Sequence, residues 1–166
     1  MTDERNAAGA ATTVSGPAVT GVLPPGRLRL LHVLALGTWI SGGVWLIFDY
    51  FVRSIDQFGF EVPHPQQRWW LIAHAAFSFG ALWMFGALWP DHVVRGWRAG
   101  LLRRSGGTLF AALVWLTVTG CALYYLGNDT LRSWTALAHW IPGLALLVVF
   151  FIHAPWGRAR RADRRR

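Results

Sequence analysis

The sequence predicts an all-α membrane protein, an up-down bundle of four transmembrane helices with both termini in the cytoplasm. Three observations carry that expectation. Of the 166 residues 54% are hydrophobic and 11 are Trp, more apolar than a soluble domain of this length normally tolerates. Four segments, residues 28–50, 69–89, 107–126 and 134–155, each approach the roughly 20 apolar residues needed to cross a hydrocarbon core. All 16 basic residues are Arg, and they fall unevenly about those segments.

Residues 1–26 are rich in Ala, Gly, Thr and Pro. They contain neither a cleavable signal region nor a helical period, so they read as a disordered cytoplasmic tail. The four-helix domain is expected over residues 27–156. Span one follows Arg27 and Arg29. The connection FVRSIDQFGFEVPHPQQR then leads to span two, and its acids and prolines make it the natural docking surface on the outer side. An Arg-rich inner loop with Arg95, Arg98, Arg103 and Arg104 precedes span three. The link Gly127 to Ser133 is short enough to force spans three and four antiparallel. Span four runs into a basic cytoplasmic tail, residues 157–166, that ends RARRADRRR.

Twelve Arg lie near the span ends on one side, and only Arg53, Arg68 and Arg132 lie on the other, so the positive-inside rule places both termini in the cytoplasm. The location expected is a bacterial cytoplasmic membrane, crossed several times. Topology and contact with anionic lipid account for the basic tail, and no nucleic-acid partner is expected.

Several chemistries lack their residues. Cys121 is the only cysteine and sits in span three, which excludes a disulfide framework or an iron–sulfur site within the chain and suggests a small core residue. Met1 and Met84 are the only thioethers, too few for copper transport. No span holds an interior carboxylate to relay protons, and Asp49, at the outer end of span one, is expected to be solvated. Gly37, Gly42, Gly43, Gly80, Gly86, Gly120 and Gly143 punctuate the spans. They allow either close helix approach or room for a flat cofactor.

Four of the six histidines fall within spans, where ionisable groups are costly and face the bundle interior. His139 and His153 are fourteen positions apart in span four, which puts them about 21 Å apart along a helix and about 40° apart around it. Counting depth from the flanking Arg gives two levels. His32 and His153 make an inner pair. His74 and His139, each about 9 to 10 Å in from the outer surface, make an outer pair.

Two imidazoles facing across a bundle suit one low-spin haem iron with both axial positions filled, whereas a zinc site wants three or four ligands. Arg27 and Arg29 on the inner side, and Arg68 and Arg132 on the outer, are placed to pair with haem propionates. Pro142 is expected to free the Ala138 carbonyl and kink span four beside His139. His64 and His92 are read as loop residues. His92, next to Asp91 at the cytoplasmic surface, is either a solvated imidazole or a proton donor for quinone.

A His early in span one, a His in span two, none in span three and two His fourteen apart in span four make a pattern that resembles the bacterial diheme cytochrome b subunits of formate dehydrogenase (the gamma subunit) and of nickel-iron hydrogenase. The resemblance covers nearly the whole chain after residue 26. It implies two haem b groups, one on His32 and His153 and the other on His74 and His139. It also implies an electron-transfer subunit rather than a stand-alone catalyst, relaying electrons between a dehydrogenase- or hydrogenase-type enzyme at the outer face and quinone. The stretch LHVLALGTWISGG also resembles the first span of copper-resistance D-type proteins, so the alternative expectation is a haem-free membrane anchor or assembly factor.

Overall fold

The computed structural model describes residues 24–100 and 103–163, the last ten by backbone alone. The tail expected at residues 1–26 therefore lies almost wholly outside the described residues, as do the side chains of the basic tail. The fold is an all-α bundle with four helices long and apolar enough to cross a membrane. Their connections are two short strands on one side and a broken helical turn on the other.

Helix α1, Pro25–Phe51, starts on a proline at its first position, where a missing N–H is harmless and φ is already helical. Strands β1 (Arg53–Ile55) and β2 (Glu61–Pro63) then pair antiparallel, with Ser54 opposite Val62. Asp56 closes this hairpin by accepting the N–H groups of Phe58 and Phe60 at 2.8 and 2.9 Å, and Gly59 takes the positive φ of 85° that the turn requires. Helix α2, Gln67–Leu88, continues as a π-helix, Trp89–Val94, and a short α3, Arg95–Arg98.

The π segment has a local cause. Pro90 has no N–H to return to the Gly86 carbonyl, which the Trp89 N–H takes up instead, and the ladder loosens over the following turn. Gly100, at φ 68°, then ends α3.

Helix α4 spans Arg103–Tyr125 and α5 spans Asp129–Asp163. Asn128 caps α5 by accepting the Leu131 N–H at 2.9 Å, and Asp129 adds an acid to the first turn, so the helix begins five residues before the apolar run does. Helices α1 and α2 pack as one hairpin and α4 and α5 as a second, with α1 and α5 meeting over a shorter stretch.

Among the described residues only Met84 and Leu88 are buried apolar side chains, joined by the buried polar residues Ser41, Gln67 and Thr119. Large apolar residues in mid-span, such as Phe79, Trp83 and Val118, point outward with 61–74% of their surface open. Outward apolar faces around a small, partly polar interior suit lipid as the solvent, since lipid tails give no reason to hide Leu or Phe. Cys121 is one of these exposed residues, so it does not belong to the core as expected.

Candidate functional site

The bundle interior is organised by imidazoles. His74 of α2 and His139 of α5 face one another with ring centroids 6.3 Å apart and planes at 85°. At the other end of α5, His153 faces His92 with centroids again 6.3 Å apart and planes at 78°. His32, the partner expected for His153, instead sets its ring edge-on to Phe150 at 5.6 Å. His92, two residues after Pro90, is expected in a loop. The π turn carries the helix past that proline, and His92 is half-buried on it.

Each span histidine is held through Nδ1. His74 donates from Nδ1 to the Thr38 carbonyl at 2.8 Å, and His32 donates to the Leu28 carbonyl at 2.7 Å. The Thr119 hydroxyl donates its proton to the Trp115 carbonyl at 2.8 Å, so it must accept from His139 Nδ1, 2.9 Å away. In these three residues the proton is on Nδ1, and Nε2 keeps the lone pair that a metal requires. Ser105 Oγ and His153 Nδ1 share a hydrogen bond of 2.9 Å.

Glycines complete the seats. A Cβ on Gly42 would come within 2.9 Å of the His74 ring, one on Gly120 within 3.2 Å of His139, and one on Gly106 would touch His153 at 3.8 Å. On α4 the seats are therefore two hydroxyl–glycine dipeptides, Ser105-Gly106 and Thr119-Gly120. They are fourteen residues apart, the interval that separates His153 from His139 on the antiparallel α5. That repeat was legible in the sequence as a match of intervals on neighbouring helices, and sequence reasoning missed it. Gly37 and Gly80 serve ordinary close approach, receiving Phe77 and Leu34 of the facing helices.

The remaining candidates are peripheral. Arg27, Arg29, Arg68 and Arg132 are all exposed, and Arg68 lies 5.0 Å over the Trp69 ring. Asp91 pairs with Arg95 at 3.0 Å. His64 packs on Phe48 at 5.2 Å and accepts the Gln66 N–H at 3.2 Å, a role in the outer connection. Asp49 is half-buried and accepts from Gln67 Nε2 at 2.9 Å, so it is not simply solvated. The Trp140 indole N–H, beside His139 in sequence, is buried with no acceptor among the described residues.

Among those residues no three His, Cys, Asp or Glu converge. What converges is two imidazoles per level, fewer than the three or four ligands of a zinc shell. The fold and site together define a four-helix protein of membrane type with two interior imidazole pairs. No protein-family model, curated protein or solved structure matches the chain.

Proposed function

We propose that the chain is a multi-pass protein of a bacterial cytoplasmic membrane that holds two haem b groups and relays electrons across the bilayer between a redox enzyme docked on its outer side and quinone. The observation that carries this reading is the pairing of interior imidazoles at two depths, each pair with ring centroids 6.3 Å apart. Imidazoles at that spacing would be able to hold one metal atom between them. A haem held by these imidazoles would supply a reversible one-electron iron couple.

The chain's own residues do the rest. His74 and His139 offer Nε2 lone pairs, the Thr38 carbonyl and the Thr119 hydroxyl fix those tautomers, and the Trp140 N–H is a spare buried donor for an acidic substituent. The second pair lies about 21 Å further along α5. Exposed Arg68 and Arg132 on one side, and Arg27 and Arg29 on the other, are available to carboxylates at the membrane surfaces. The Arg distribution supports cytoplasmic termini, which places the His74 and His139 pair on the enzyme side.

The test uses the purified chain in liposomes with ferricyanide trapped inside and a membrane-impermeant reductant outside. The proposal expects chain-dependent reduction of the trapped ferricyanide, lost in His139→Ala. Equal rates with and without the chain would reject the relay.

A further inference from the structure

We infer that the second imidazole of the inner haem site is His92, so that α2 and α5 together supply all four axial ligands and His32 supplies none. This rests on the two-haem reading and assigns a residue within it. The two imidazole contacts are near-copies of one another: His74 with His139 at 6.3 Å and 85°, and His92 with His153 at 6.3 Å and 78°. Whatever geometry qualifies the first pair qualifies the second.

Helical register leads to the same assignment. His74 and His92 are eighteen residues apart, and because the last turn between them is π-helix, with more residues per turn than an α-helix, His92 comes back near the face of His74 but short of it. The loosened turn at Pro90 keeps the chain helical to that point. Spans two and four run in the same direction in an up-down bundle, and the ring contacts bring one histidine near the start and one near the end of each to a partner on the other.

His32 is placed otherwise. Its ring meets Phe150, about one turn short of His153, and its Nδ1 proton returns to the carbonyl of Leu28 in its own helix. His32 is a packing residue of the inner end. A ligating His92 is also unavailable as a proton donor to quinone, so the two roles exclude each other.

The test compares His92→Ala, His92→Met and His32→Ala with the wild type, reading haem per chain, low-spin haem by paramagnetic resonance, and midpoint potentials. Two low-spin haems are expected in the wild type and in His32→Ala, and one in His92→Ala. In His92→Met the inner haem is retained with a raised potential, because a thioether ligand favours the reduced iron.

The retained outer haem reports that a variant has folded. Should alanine empty both sites, the Met variant decides. Two low-spin haems in His92→Ala, or an unshifted inner potential in His92→Met, would overturn the assignment. Absence of haem from the wild type would instead reject the two-haem reading itself.

Discussion

A Cβ at Gly42 would stand 2.9 Å from both Cε1 and Nδ1 of His74, closer than a fixed carbon is tolerated. Gly42 also follows Thr38 by one helical turn, and a side chain there would shield the Thr38 carbonyl that His74 uses. One missing carbon thus admits the ring and exposes its acceptor. Gly42→Ala is therefore expected to weaken haem retention at the outer site by about 10–100-fold, the usual effect of disturbing a group that orients a metal ligand. Gly43→Ala is the control, since a Cβ there meets nothing within 4 Å. Haem per chain after dialysis against a haem-binding competitor measures both, and equal retention in the two variants would contradict the seat. The sequence displays these glycines plainly, but composition alone does not separate an imidazole seat at Gly42 from a helix contact at Gly37.

Within α5, Pro142 cannot return an N–H to Ala138, and the structure shows what takes its place: the Trp115 indole of α4 donates to that carbonyl at 2.7 Å. An intrahelical bond is replaced by an interhelical one, which ties α4 to α5 beside His139. Trp115→Phe should destabilise the protein by about 1–2 kcal/mol, because the carbonyl loses its partner in an apolar surround. In a Pro142→Ala background the helix regains its own donor and the same substitution should cost much less. Thermal unfolding of the four proteins of this cycle in detergent measures the coupling, and additive losses would contradict the account. The freed carbonyl was legible from Pro142. Its donor was not, because an exposed Trp in a lipid-facing helix looks like any other. At Pro90 the helix takes up the missing donor as a π turn, which carries His92, expected in a loop, into the helix. Helix α5 starts before the expected span because hydropathy marks the lipid-crossing part at Trp134, while Asn128 and Asp129 set where the backbone becomes helical.

At the scale of the molecule, four helices and their order follow from apolar length and short connections, and both were legible in the sequence because lipid imposes them. The arrangement of those helices as two hairpins around a small interior was less so. With only Met84 and Leu88 as buried apolar side chains among the described residues, there is no core pattern to read. Instead the interior is specified by polar contacts: His74 to Thr38, His139 to Thr119 and His153 to Ser105. Depth counted from flanking Arg anticipates that His74 and His139 are neighbours, because each lies a similar number of residues in from the Arg that opens its span. At the inner end His32 meets Phe150, about one turn from His153, while the ring against His153 is that of His92, beyond Pro90. The most direct measurement of the central claim is the haem-to-chain ratio of the purified wild-type protein, with the spin state recorded on the same sample. Two haems of b type per chain, both low-spin, is the result predicted by two bis-imidazole sites. A purified, folded chain without haem, or with haem that is high-spin, would contradict it.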